Sequence, residues 1–305
     1  MAQSDPFALT DEERELLPSE ADIRFYAEHG WYLSKKLLSD DEVTQLEEAS
    51  EKFYAGQKDR EIPVRPPRLA YWTPEQGAKL RHNDYIHYEV DAIGAILTKP
   101  LLGAVAAMLA QVDEMRMFQS TLIYKPPVST EPSNIVPWHY DKDYWASSTS
   151  ERMLTAFIPF HDCDEELGTI CMIDGSHTWE EEDKDNITAI GFAERSKDDL
   201  ETIVERNARY NGAEMRKVVV DIPKGHMSFH HCRTYHASGP NRAAKPRRAV
   251  SIHLQDGANQ YREFPLADGG LATYNHDYLV RRTAQGLPDY ADPEFCPVLW
   301  SGRTR

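Results

Sequence analysis

The chain has 305 residues, 41% of them hydrophobic and 28% charged, a globular composition that excludes a disordered or fibrous protein. Its 50 acidic residues outnumber 34 basic ones, and the net charge of −16 repels phosphate backbones and anionic lipid, which argues against nucleic-acid and membrane partners. Cys163, Cys171, Cys232 and Cys296 make no C-x-x-C pair, the N-terminus lacks the blocks of a signal peptide, and the best apolar run, Leu101–Ala110, is far short of the roughly 20 residues that span a bilayer, so a reducing cytoplasm is the expected compartment.

Residues 1 to about 112 read as mainly helical. Thr10 with Glu13, Ser19 with Asp22, and Ser39 with Glu42 each match the S/T-x-x-D/E signal that opens a helix. After Ser39, the apolar residues Val43, Leu46, Ala49 and Phe53 recur at helical spacing. Gly30 stands where a helix would stop, and Trp31-Tyr32-Leu33 reads as a short strand. The proline-rich stretch from Ile62 to Pro67 breaks the pattern, and Leu97–Leu109 predicts one more, largely buried helix.

From about residue 113 the pattern changes. Met115–Tyr124, Arg152–Phe160, Gly168–Ile173, Arg216–Ile222 and Arg247–Leu254 are short runs rich in Val, Ile, Thr and aromatics, bounded by Pro, Gly, Asn and Asp clusters. The polar stretch 194–210 reads as a helical insertion over one face, and the Gly-, Pro- and Tyr-rich tail from about 257 to 305 as an extension packed over the core. Many short strands without alternating helices predict a mainly β fold with helical additions, an antiparallel sandwich or jelly roll. No linker separates two domains, so one domain over 1–305 is expected, with its β core at about 113–256.

Trp138-His139-Tyr140-Asp141 carries the first chemical signal. In an extended strand residues i and i+2 share a face, so His139 and Asp141 can reach one metal ion. With a second imidazole they would form a two-histidine, one-carboxylate set that leaves positions open for a cosubstrate and dioxygen. The pattern alone is weak, since His82-Asn83-Asp84 and His87-Tyr88-Glu89 satisfy it too. What distinguishes 139–141 lies downstream: the turn Pro223-Lys-Gly225, a histidine-rich stretch, and His236 before an Ala-Ser-Gly-Pro-Asn turn that leads into the strand Arg247–Leu254. His236 is preferred as third ligand because one turn and a short strand separate it from an arginine; His226, His230 and His231 are the alternatives. A buried guanidinium suits a small dicarboxylate, which its planar fork binds bidentately. Metal set and arginine together point to a 2-oxo acid cosubstrate.

These residues resemble the phytanoyl-CoA dioxygenase family of iron(II)- and 2-oxoglutarate-dependent oxygenases. The ordered pieces are Phe118-Gln-Ser120, Lys125-Pro-Pro127, Trp138-His-Tyr-Asp141, Glu166-Leu-Gly168 through Asp174-Gly-Ser-His177, Phe229-His230, His236-Ala-Ser-Gly239, Asn241 and Arg247, spanning roughly residues 113 to 256. The resemblance implies a double-stranded β-helix core with the N-terminal helices packed on one sheet, and iron(II) held by His139, Asp141 and His236. It further implies 2-oxoglutarate gripped by Arg247, with Arg248 as fallback, and assisted by Ser238, while Gln119 lines the cosubstrate or substrate pocket. Trp145 and Tyr144 become candidates for substrate contact. Tyr140 and Asp174 stand where many relatives carry Gln and Pro, and are places where a different substrate could be reported. The carboxylate of Asp141 argues for an oxygenase, since halogenating relatives lose it.

The reaction so implied consumes O2 and 2-oxoglutarate, releases succinate and CO2, and hydroxylates or otherwise oxidises an unactivated C–H bond of a small molecule such as a secondary metabolite, in a monomer or homodimer. Two rival readings are a redox-inactive jelly-roll metalloenzyme, such as a hydrolase or isomerase, and a non-catalytic metal-binding sensor.

Overall fold

Helix starts in the N-terminal third are set by hydroxyl groups that satisfy amides the helix itself leaves unpaired. In the computed structural model, which describes residues 5–128, 134–181, 197–266 and 269–302, Thr10, Ser19 and Ser39 each accept a bond from the amide three residues on. Glu13, Asp22 and Glu42 return a bond to the cap backbone, so all three expected capping boxes form. They open α1 (Asp11–Arg14), α2 (Glu20–His29) and α3 (Asp40–Tyr54). Gly30 ends α2 at a φ of 75°, a left-handed cap that glycine adopts without a Cβ clash, and the chain turns at once into β1 (Trp31–Leu33). α3 buries Val43, Leu46, Ala49 and Phe53, the apolar stripe read from its spacing.

Arg81–Asp84 has no apolar alternation, yet it forms β2 because the long strand β3 (Glu114–Lys125) offers it an edge to pair with. α4 (Ile86–Glu89) and α5 (Asp91–Leu97) come next. The helix expected from Leu97 starts instead at Pro100, as α6 (Pro100–Ala110), bent 44° from α5. Proline has no N–H to continue a helix but fits its first turn, so α5 stops and a new helix begins. Among the described residues no single helix is long and apolar enough to cross a membrane.

The remaining elements are β4 (Val136–His139), β5 (Leu154–Pro159), β6 (Ile170–Ile173), α7 (Lys197–Tyr210), β7 (Lys217–Val219), β8 (Ser228–His231), β9 (His236–Ser238), β10 (Arg247–Asp256), α8 (His276–Leu279) and β11 (Val298–Ser301). α7 lies where a helical insertion was expected; positions 194–196 of that stretch fall outside the described residues. A seven-stranded antiparallel sheet runs β1-β8-β5-β10-β3-β11 with β2 also on β3, and faces a four-stranded sheet β4-β9-β6-β7. This is the jelly roll, or double-stranded β-helix. Its larger sheet takes β1 and β2 from the N-terminal part and β11 from the tail.

Strand alternation sorts the larger sheet's side chains between two cores. Val250, Ile252 and Leu254 of β10 and Leu154, Ala156 and Ile158 of β5 face Leu46, Phe53, Leu101 and Val105 of the helical layer. The opposite face looks into the jelly roll. Register aligns His230, Thr155, His253 and Gln119 in one row across β8, β5, β10 and β3. The adjacent row is Ser228, Phe157, Ser251, Thr121 and Asp84, which reaches β2. Those two rows form the floor of the site.

Candidate metal centre and cosubstrate pocket

β4 and β9 pair so that His139 lies opposite His236. Strand pairing ends at His139, but Tyr140 stays extended (φ −128°, ψ 146°), so Asp141 still shares the face of His139. One ligand atom from each of His139, Asp141 and His236 lies within 4.8 Å of the others, a group that fits a metal ion. The Nε2 atoms of His139 and His236 lie 3.8 and 3.7 Å from the same oxygen, Asp141 Oδ1.

Backbone carbonyls fix both tautomers. His139 Nδ1–H donates to the Pro137 carbonyl (2.8 Å) and His236 Nδ1–H to that of Thr234 (2.9 Å), so each Nε2 lone pair faces the centre. Burial holds both imidazoles below their ordinary pKa and hence neutral. Burial alone would push Asp141 up, but as pH falls the imidazoles around it, His236 foremost, take a proton before the carboxyl does, and with the hydrogen bond from His230 they hold it well below its ordinary value. Two neutral nitrogens and one anionic oxygen fit a divalent transition metal.

The other carboxylate oxygen is taken by protein. Asp141 Oδ2 accepts from the Thr155 hydroxyl (2.5 Å) and from His230 Nε2 (3.3 Å). Thr155 has one hydrogen and spends it there, so it accepts from His253 Nδ1 (2.8 Å), which leaves the Nε2 lone pair of His253 for the cavity. His230 is thus a buttress on Asp141 and not a member of the three-ligand group. His226 bonds the Ser34 carbonyl (2.7 Å), His231 packs beside His177, and His87 bonds Ser120 (2.7 Å). His82 lines the cavity but belongs to no three-ligand group among the described residues.

A cavity of about 620 Å³ opens beside these groups. At one end Arg247, 1% exposed, donates to the Gly168 carbonyl (2.7 Å) and Ser238 Oγ (2.9 Å), while its Nε has no partner. Burial lowers its pKa to about 10. Arg248 points the other way, to Glu47 (3.1 Å) and Glu51 (2.9 Å) of α3. Adjacent residues of a strand face opposite sides, so register separates two arginines that charge alone does not. Lys125, fully buried and paired in register with Arg247, donates to the Ser238 carbonyl (3.0 Å) and contacts Ser238 Oγ and the Gly239 carbonyl. A Cβ at Gly168 would meet the Gly239 carbonyl at 2.6 Å, so this close approach of two loops needs glycine.

Gln119 is buried in the cavity wall, where it accepts from the Tyr274 hydroxyl. Trp145, 1% exposed, lines the cavity edge-on to His253 at 5.0 Å, and half-buried Tyr144 lies 5.9 Å from His139. The two departures from the family pattern do not line the cavity. Tyr140 bonds Glu181, and Asp174 accepts from His29 and Trp31 (2.9 Å each), tying α2 and β1 to the loop after β6. Sequence reading passed over Thr155, His253 and Asn275; it met Asp84 only as the end of the rival pattern His82-Asn83-Asp84 and Lys125 only in the piece Lys125-Pro-Pro127, and gave neither a role in the site.

The profile of the phytanoyl-CoA dioxygenase (PhyH) family matches residues 26–249. The chain is 22% identical over 248 residues to the peroxisomal phytanoyl-CoA dioxygenase of Bos taurus, covering 78% of this chain and 68% of that protein. It is 25% identical over 235 residues to a probable alpha-ketoglutarate-dependent hypophosphite dioxygenase of Stutzerimonas stutzeri, covering 75% and 76%. The crystal structure of the non-heme alpha ketoglutarate dependent carbocyclase SnoK from nogalamycin biosynthesis superposes with a TM-score of 0.66 at 22% identity, over 92% of this chain and 96% of that one, and so shares its fold. The chain belongs to the phytanoyl-CoA dioxygenase family of iron(II)- and 2-oxoglutarate-dependent oxygenases.

Proposed function

We propose that the protein oxidises an unactivated C–H bond of a small molecule, with 2-oxoglutarate converted to succinate and CO2. In this reading His139, Asp141 and His236 hold iron(II), Arg247 with Ser238 holds the far carboxylate of 2-oxoglutarate, and Gln119, Trp145 and Tyr144 face the substrate. The carrying observation is that three metal-competent atoms and a buried guanidinium with an unpartnered Nε line one cavity. Bound iron would supply dioxygen activation coupled to decarboxylation of the cosubstrate.

The chain's own residues do the positioning. Thr155 and His230 hold one oxygen of Asp141 so that the other is aimed at the metal position. Phe157, Ile123 and Ile170 give the cosubstrate end apolar walls that exclude water and strengthen the pull of Arg247 on a carboxylate. Trp145, braced edge-on by Phe118 at 5.4 Å, is a rigid wall against which a substrate C–H can be held. SnoK, which shares this fold, comes from nogalamycin biosynthesis, which supports a secondary metabolite as the substrate.

The test is a panel of small molecules incubated with iron(II), 2-oxoglutarate and O2, read by mass spectrometry as succinate and a product mass change. Asp141→Ala should reduce substrate-coupled succinate to background. Undiminished turnover by that variant, or turnover without O2, overturns the proposal and favours a redox-inactive metalloenzyme.

A further inference from the structure

The cavity has a second polar end, which the iron and cosubstrate roles leave unused. Asp84 of β2, opposite Thr121 in register and 5% exposed, lines it. Its carboxylate accepts from the Thr121 hydroxyl (2.8 Å), the Ala70 amide (3.1 Å) and Asn275 Nδ2 (3.3 Å). All three donors are neutral, and burial pushes the Asp84 pKa up to about 6. A buried carboxylate with only neutral partners lacks the counter-charge that would offset its lost hydration.

Asn275 supplies the second observation. It is 5% exposed and lines the same cavity. Its Nδ2 hydrogens go to the Arg68 carbonyl and to Asp84 (3.3 Å each), and its Oδ1 is buried without a partner. The neighbouring hydrogens are spent inside the wall as well. The Tyr274 hydroxyl donates to Gln119, Gln119 Nε2 to Thr121 Oγ1 (3.4 Å), and Thr121 to Asp84. Around Asp84 the wall therefore offers lone pairs and a negative charge, with the hydrogens of Tyr274, Thr121 and Asn275 already committed; Arg68 also lines the cavity, but it is not among the groups that hydrogen-bond Asp84 or shift its carboxyl.

We propose that Asp84 and the side-chain oxygen of Asn275 form a subsite for an ammonium group of the substrate. The inference rests on the oxygenase reading of the cavity and narrows its substrate class to small amines. An ammonium donates to both acceptors and brings the missing charge, whereas a hydroxyl could satisfy Asn275 but would leave the charge of Asp84 unmatched. Three inter-strand steps separate β2 from β5, whose Thr155 bonds Asp141. At about 4.8 Å each, they place the amine roughly 14 Å along the curved sheet from the metal side. A molecule reaching both ends is the size of two or three fused rings, and it would lie along Tyr274 and Trp145, whose ring centres are 6.5 Å apart.

The experiment compares 4-phenylbutylamine with its isostere 4-phenylbutan-1-ol, titrated under nitrogen into the wild-type protein loaded with iron(II) and 2-oxoglutarate. Calorimetry should show the amine binding about tenfold or more tighter, the gain expected of a charge-assisted over a neutral pair. Asp84→Asn should bring the amine to the affinity of the alcohol. Equal or tighter binding of the alcohol by wild-type protein overturns the proposal even if the variant does not fold, and so does an Asp84→Asn protein that keeps the amine preference. 2-Oxoglutarate binding is titrated first without either probe. Its failure would count against the oxygenase reading, whereas cosubstrate binding without amine preference counts against the ammonium subsite alone.

Discussion

Arg247→Met replaces a buried cation by an uncharged side chain of similar length, and its effects on stability and on binding should separate. Burial lowers the Arg247 pKa from 12.5 to about 10, so the charged form is disfavoured by folding. At roughly 1.4 kcal/mol per tenfold change in acidity, that penalty is about 3 kcal/mol in order of magnitude. The folded pKa lies below the unfolded one, so the penalty is fully present at neutral pH and fades only as pH rises past about 10. The variant also loses the bonds to Gly168 and Ser238, at about 1–3 kcal/mol if their acceptors were left bare. They are not bare, because the Ser238 hydroxyl still donates to the Gly168 carbonyl (3.0 Å) and Lys125 still reaches Ser238. Without cosubstrate the variant should therefore match the wild type or exceed it by up to about 2 kcal/mol. With cosubstrate the order reverses. Removing one partner of a buried charge pair costs about 2–5 kcal/mol, which raises the Kd for 2-oxoglutarate about 30-fold to several thousandfold. At a concentration about 100 times the wild-type Kd, wild-type protein gains about 2.7 kcal/mol while the variant gains far less. Urea unfolding of the metal-loaded proteins under nitrogen, with and without 2-oxoglutarate, measures both effects. A cosubstrate-free variant more than about 1 kcal/mol weaker than wild type, or one that keeps the ligand-induced gain, refutes the reasoning.

Thr155→Val removes the hydroxyl that joins Asp141 to His253 while keeping the side chain's shape, and should weaken iron(II) binding about 10- to 100-fold in competition with a chelator; a change of less than about twofold would show that the Thr155 contact does not orient Asp141. Asp84 titrates near 6 when folded against an ordinary 3.8, so its charge destabilises the fold above about pH 6 and has no effect below about pH 4. Relative to Asp84→Asn, the wild type should lose about 3 kcal/mol of stability between pH 4 and pH 8, and parallel curves for the two proteins would contradict the assignment. Ser39→Ala removes the cap of α3, which anchors Val43, Leu46 and Phe53, and should cost about 1 kcal/mol by urea melt. Thr10→Ala should cost less, since α1 buries no residue.

How far each feature could be read from the chain depends on how far its cause reaches. Capping boxes are complete within four residues, and all three formed where they were expected. The β-rich runs after residue 113 became strands, with ends moved by at most three positions as pairing partners extended or trimmed them. β2 could not be read, because Arg81–Asp84 is a strand only through the edge of β3. The break before α6 was written in Pro100 and outweighed by the apolar run around it.

The sequence by itself determined the jelly roll, the family and the pair spacing of His139 and Asp141, since strand period and short ordered motifs are local properties. Only the tertiary structure decided which of three similar H-x-D/E patterns meets a second histidine, and which of two adjacent arginines turns inward. It alone assembled the surroundings of the site. Thr155 and His253 are 98 positions apart and bond at 2.8 Å, and Asp84 meets Asn275 across 191 positions. Contacts of that kind depend on which strands lie side by side and in what register, a collective outcome of packing that leaves no mark on the residues flanking any one of them.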